Sequence, residues 1–171
     1  MKSKITLGLI SLLFTFPLIC LAQVKVWEES SEINTYILNP PDLNPRFYEG
    51  LGHQGVQKHV YPFPMNDGLT DSSELRSYHT IFVENEYIKI SIIPELGGRI
   101  FSAYDKVAEY NFIYKQDAVK PALVGMVGAW MTGAIAWGFP HHHGPHTVAP
   151  YEHYIKNNPD GSITASGLFF I

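Results

Sequence analysis

Tyr87-Ile88-Lys89-Ile90-Ser91-Ile92-Ile93-Pro94-Glu95-Leu96-Gly97-Gly98-Arg99-Ile100-Phe101-Ser102-Ala103-Tyr104-Asp105 decides the fold class. Ile88, Ile90 and Ile92 alternate with Lys89 and Ser91. A period of two built on β-branched residues is the pattern of a half-buried strand, here with the isoleucines inward. Pro94 removes a backbone donor and fixes φ, and Gly97-Gly98 lets the chain reverse, so the strand ends there. Arg99 to Asp105 resumes as a second strand, and Asn111 to Lys115 reads as a third. Connections this short join neighbouring strands antiparallel. No amphipathic helical period and no internal repeat appears after residue 22, so the fold class is all-β, an antiparallel sandwich.

Working upstream, residues 23–80 alternate short apolar pieces with turn clusters: Asn39-Pro40-Pro41-Asp42, Asn44-Pro45, Tyr61-Pro62-Phe63-Pro64 and Asn66-Asp67-Gly68. Prolines so placed prevent long regular elements. The segment reads as an extended lead-in over the sandwich, with short strands at Val24 to Glu28 and Thr35 to Leu38. Tyr48, Leu51, Val56, Val60, Tyr61 and Phe63 make it too apolar for a solvated tether. Residues 81–171 read as the N-terminal part of the sandwich domain itself.

Working downstream, Pro121 to Phe139 runs 19 residues without a charge, long enough to cross a bilayer as a helix. Gly125, Gly128, Gly133 and Gly138 would each weaken a helix by up to ~1 kcal/mol relative to alanine, and their spacing suits short buried strands. Asn157 to Gly161 reads as a turn, Ser162 to Ala165 as a strand, and Gly167 to Ile171 as the opening of a further apolar strand. An unpaired edge there predicts a sandwich cut midway, with oligomers or aggregates forming through that edge.

Lys2 and Lys4 precede an apolar run from Ile5 to Leu18 that closes on Leu21-Ala22, the pattern of a secretory signal peptide over residues 1–22 cleaved after Ala22. The expected location is therefore periplasmic or secreted, with no membrane span once the leader is gone. Cleavage removes Cys20, the single cysteine, so no disulfide is expected. It also removes two lysines and no acids from the chain's 12 basic and 16 acidic residues, leaving 10 against 16, a formal charge of −6. A nucleic-acid partner is not expected of such a balance.

Chemistry concentrates in Trp137-Gly138-Phe139-Pro140-His141-His142-His143-Gly144-Pro145-His146. Histidine can act as general acid or base near neutral pH, hydrogen-bond sugar hydroxyls, or ligate a metal. In extended chain His141 and His143 share a side, and the Gly144-Pro145 turn can return His146 to them. Three imidazoles with Glu152 would complete a tetrahedral zinc set. The spacing lacks the helical i, i+4 pair with an intervening glutamate, so no metal and no cofactor is expected. Arg99 either hydrogen-bonds two hydroxyls or pairs with Glu95 or Asp105. Trp130 and Trp137 offer flat faces for stacking.

Pro94 to Asp105, together with Lys120-Pro121-Ala122-Leu123-Val124-Gly125, Gly128-Ala129-Trp130 and Phe139-Pro140-His141-His142-His143, resembles the galactose mutarotase-like superfamily. Within it the chain is similar to an uncharacterised bacterial family, a domain of unknown function often followed by tetratricopeptide repeats. The similarity runs from about Leu43 to Gly161. It implies an antiparallel supersandwich that binds carbohydrate on a concave sheet, with one of His141, His142 and His143 as catalytic acid; Arg99, Trp130, Trp137 and His146 are the residues expected to contact the sugar. The family's Gly-Gly-Ile-Glu-Trp run is replaced here by Gly133-Ala134-Ile135-Ala136-Trp137. The acid missing at Ala136 leaves two expectations: a glycan-directed hydrolase, lyase or epimerase, or a sugar-binding module without turnover.

Overall fold

The computed structural model describes residues 24–44, 66–125, 128–131, 133–137 and 149–168. The described chain is all-β. Its frame is a six-stranded sheet in the order β5-β4-β3-β2-β1-β6, built from β1 (Lys25–Leu38), β2 (Leu69–Glu84), β3 (Ile88–Ile93), β4 (Arg99–Asp105), β5 (Tyr110–Asn111) and β6 (Ala118–Val119). Two hairpins accompany it: β7 (Pro121–Gly125) with β8 (Gly128–Met131), and β9 (Glu152–Asn157) with β10 (Ile163–Leu168).

The lead-in contributes the two longest strands. β1 spans Lys25 to Leu38 without a break, where two short strands were expected, and pairs antiparallel with β2 from Lys25↔Glu84 to Leu38↔Leu69. Its middle, Glu28-Glu29-Ser30-Ser31-Glu32, has little apolar content. Pairing with β2, rather than a periodic apolar face, holds it extended. The purely antiparallel expectation also gives way. β6 lies parallel to β1 through Asn34↔Ala118 and Thr35↔Val119, because the chain passes from the β5 edge to the opposite edge of the sheet. A crossover of that kind sets the returning strand parallel. β5 is shorter than the predicted third strand and begins one residue earlier, and beyond it the Tyr114 carbonyl is taken by Ala134 N at 2.7 Å.

Register assigns the two faces of the sheet. Trp27↔Phe82, Phe82↔Ser91 and Ser91↔Ser102 fix one face, where the Trp27 and Phe82 rings stack at 5.1 Å and the serine hydroxyls meet at 2.5 Å. The same side carries the core, in which Ile33, Tyr78, Ile93, Leu96, Phe101, Val119 and Met131 form one cluster. Buried Thr35 donates to the Ile33 carbonyl, which leaves the Tyr78 hydroxyl to donate to Thr35 Oγ1 at 2.9 Å. A bulge in the β3–β4 ladder, between Ser91↔Ser102 and Ile92↔Ile100, brings Phe101 to this face beside Ser102.

Glu28↔Ile81, Ile81↔Ile92 and Ile92↔Ile100 fix the other face. The predicted inward face of β3 is this one, yet the buried residues of the strand are Ser91 and Ile93, with Ile88, Ile90 and Ile92 half-buried. Both sides of β3 are covered. The seven-residue cluster packs on one, and the β9–β10 segment approaches the other.

Gly167 and Leu168 pair with His153 and Glu152 in the β9–β10 hairpin, so the part of the last strand that is described has a neighbour. Among the described residues no helix is long and apolar enough to cross a membrane.

Candidate functional site

The isoleucine face of the sheet floors a cavity of about 410 Å³. Ile81, Ile92 and Ile100 are register neighbours on three adjacent strands and form its base, while Trp137, Tyr151 and His153 rise around it. The turn after β3 sets these walls. Pro94, Glu95 and Leu96 make one 3₁₀ turn, and Gly97 (φ 74°) and Gly98 (φ 59°) follow in left-handed conformation, which glycine adopts without a Cβ clash. A side chain at Gly98 would also overlap the Tyr151 ring, so the close approach of that ring depends on glycine here. Tyr151 N donates to the Pro94 carbonyl at 3.1 Å, fixing the entry to β9, and partial burial raises the Tyr151 phenol above its ordinary value.

Trp137 reaches the same turn from the other side. Ile135 bridges Ile100 by two backbone hydrogen bonds of 3.0 and 3.1 Å, and two residues later the Trp137 Nε1 donates to the Gly98 carbonyl at 2.9 Å. The indole is thereby fixed at its polar edge while remaining 46% exposed at the cavity. Within the described residues 133–137 the chain makes this single bridge and no longer ladder, because Gly133 (φ 79°) and Ala134 (φ 65°) are both left-handed.

Next to the cavity lies a polar cluster. Glu28 and His79 sit on β1 and β2 on the isoleucine side, since Glu28 faces Ile81 and His79 stands two residues from it. His153 comes down from β9. Its Nε2 lies 3.1 Å from Glu28 Oε1, the His79 Nε2 lies 3.7 Å from Glu28 Oε2, and the two imidazole centroids are 4.9 Å apart. The His79 Nε2 is shielded from solvent and has no hydrogen-bond partner. The backbone below is held by His79 N, which donates to Glu95 Oε1 at 2.8 Å. His153 is shared: it lines the cavity and contacts Glu28.

Of the residues singled out from sequence, Trp137 is at the cavity. Trp130 lies in β8 opposite Ala122, and the next residue, Met131, packs into the core. Arg99 is 0% exposed and stands on the core side of β4, where it donates from Nε to the Leu96 carbonyl at 2.9 Å and from one terminal nitrogen to the Met131 and Gly133 carbonyls at 3.2 and 3.4 Å. Burial pulls its guanidinium below the ordinary value to about 10. The residue expected to meet a sugar or a carboxylate instead ties the Gly-Gly turn to the end of β8. Its expected partners are engaged elsewhere: Glu95 accepts from His79 N, and Asp105 caps Val107 N and Ala108 N at 2.9 and 2.8 Å. His141, His142, His143 and His146 lie outside the described residues. Glu28, His79, Tyr151 and His153 were not singled out, and no local pattern marks them, because Glu28 and His153 are 125 positions apart.

Comparison with known proteins places the chain, not the site. Residues 56–167 match the family model described as Domain of unknown function (DUF5107). The chain belongs to this family. Its fold is similar to that of a TPR-domain-containing protein from Parabacteroides distasonis, with a TM-score of 0.67 and 25% sequence identity over 81% of this chain. The likeness spans 23% of that protein's chain.

Proposed function

We propose that this chain is an exported, carbohydrate-binding domain of galactose mutarotase-like type, and that the sugar lies in the cavity between the isoleucine row and the β9–β10 segment. The observation that carries the reading is the cavity wall: an exposed indole fixed at its Nε1, beside the polar edge of His153, whose imidazole contacts Glu28 just outside the cavity. A pyranose presents an apolar C–H face and a rim of hydroxyls. The first suits an aromatic surface and an aliphatic floor; the second suits imidazole and carboxylate groups. The Pro94 to Asp105 motif and the all-β architecture support the superfamily assignment, and the apolar leader ahead of Gln23 supports export. His141, His142, His143 and His146 follow Trp137 closely enough in sequence to complete the hydroxyl side.

Binding without turnover is favoured over catalysis by one feature. Acid–base work at an anomeric or glycosidic centre needs two groups in opposite protonation states, and Ala136 stands where the family pattern this chain resembles implies an acid. Calorimetric titration of the full chain with neutral mono- and oligosaccharides tests the reading. The expected result is saturable binding that Trp137→Ala weakens by about tenfold or more, the loss of a central aromatic anchor. Binding unchanged by Trp137→Ala, or no binding to any neutral glycan, rejects it.

A further inference from the structure

Glu28, His79 and His153 converge from three strands so that one donor atom of each lies within 4.8 Å of the others. Zinc–nitrogen and zinc–oxygen bonds of about 2.0–2.2 Å at tetrahedral angles place ligand atoms about 3.3–3.6 Å apart. The 3.1 Å from Glu28 Oε1 to His153 and the 3.7 Å from Glu28 Oε2 to His79 show one carboxylate reaching both imidazoles, and the set of one donor per residue, spread over up to 4.8 Å, would draw together by about 1 Å around a bound ion. The charge arrangement points the same way. Two imidazole rings 4.9 Å apart face one carboxylate, and the shielded His79 Nε2 has no hydrogen-bond partner. A divalent cation would give that nitrogen a partner, because it accepts two imidazole lone pairs and one carboxylate at once.

We infer that Glu28, His79 and His153 form a binding site for a divalent transition metal, with two imidazoles and one carboxylate as protein ligands. Three protein ligands leave at least one coordination position for water or a ligand oxygen. Because His153 also lines the cavity, metal and cavity share a residue. The site does not depend on the carbohydrate reading.

Zinc is the probe, and the histidine run at 141–146 must be kept from competing. In the full chain carrying H141Q, H142Q, H143Q and H146Q, chelator-competition titration is expected to find one zinc per chain. Adding Glu28→Gln or His153→Gln to that background is expected to weaken affinity at least tenfold, the scale already seen for disturbing a ligand's supporting contacts. Glu28 and His153 are partly exposed, so neither change is expected to unfold the protein. Absence of zinc binding in the folded background, or binding unaffected by both substitutions, overturns the site. If the fourfold background does not fold, imidazole nitrogen resonances of the unaltered chain decide. Shifts of both His79 and His153 on adding zinc support the site, and unmoved resonances for either overturn it.

Discussion

Replacing Arg99 separates a structural brace from a binding residue. In Arg99→Met the Leu96 and Met131 carbonyls, now accepting at 2.9 and 3.2 Å, lose a buried donor. Each carbonyl left unsatisfied costs about 1–3 kcal/mol. Against this, burial holds the guanidinium down at about 10, which corresponds to about 3 kcal/mol opposing the charge inside, and methionine relieves that cost. Taking the middle to upper part of the carbonyl range, the balance is a net destabilisation of about 2 kcal/mol, or a fall in Tm of about 4–8 °C for a chain of this size. Arg99→Lys is expected to be worse than Arg99→Met. It keeps the buried charge but presents one ammonium where a planar fork reached three carbonyls. Urea and thermal unfolding of the three proteins measure the order, and sugar titration of the folded fraction measures binding. A lysine variant as stable as the parent refutes the brace. So does a methionine variant with unchanged Tm and weakened sugar binding, which would place Arg99 in contact with ligand.

Gly98→Ala combines a left-handed φ with overlap of the Tyr151 ring, and is expected to destabilise by about 1–3 kcal/mol while displacing Tyr151 and weakening whatever the cavity binds; unaltered Tyr151 side-chain resonances would contradict it. Tyr78→Phe removes the hydroxyl that donates to buried Thr35 and is expected to cost about 1–2 kcal/mol in urea unfolding, a loss under about 0.3 kcal/mol being inconsistent with a buried bond. The Lys106 ammonium hydrogen-bonds Glu84 at 2.6 Å and lowers its carboxyl below the ordinary value. The pair's contribution is therefore present above the unfolded carboxylate range and lost as pH falls through the depressed Glu84 value. In Lys106→Met the Glu84 carboxyl carbon should titrate at a higher pH, and an unmoved titration rejects the assignment.

What the chain disclosed in advance tracks the range of the forces involved. Ile88 to Ile93 and Arg99 to Asp105 were legible because a strand's alternation and a Gly-Gly reversal are local patterns, set within a few residues. β1 and β2 were not. From Thr70 to Ser77 nearly every residue of β2 is exposed and no apolar stripe marks it; pairing with β1 keeps it extended. The cavity was half legible. Trp137 stood out as an aromatic beside a polar run, whereas Glu28, His79 and His153 meet only once β1–β2 register and the descent of β9 are both fixed. Arg99 misled because a charged residue at a strand start reads as surface, while the fold supplies enough carbonyls to bury it.

The two faces of the sheet are nevertheless governed by one short segment. Residues 94 to 99 contribute Leu96 and Arg99 to the core side and the Pro94 and Gly98 carbonyls to the cavity side. Arg99 draws the end of β8 and Gly133 toward the turn, and Ile135 then bridges Ile100, which delivers Trp137 to Gly98. Tyr151 is set by the same turn through Pro94, and His153 follows two residues later on the same side of β9. The cavity walls are thus secured by main-chain carbonyls of a turn whose shape depends on two left-handed glycines, with the buried guanidinium behind it. Changes at Gly98 and at Arg99 should both lower Tm, but only the change at Gly98 should weaken what the folded protein binds in the cavity. Ligand affinity of the folded fraction should therefore separate these adjacent positions where Tm does not, and that separation would show that the turn serves two otherwise independent faces.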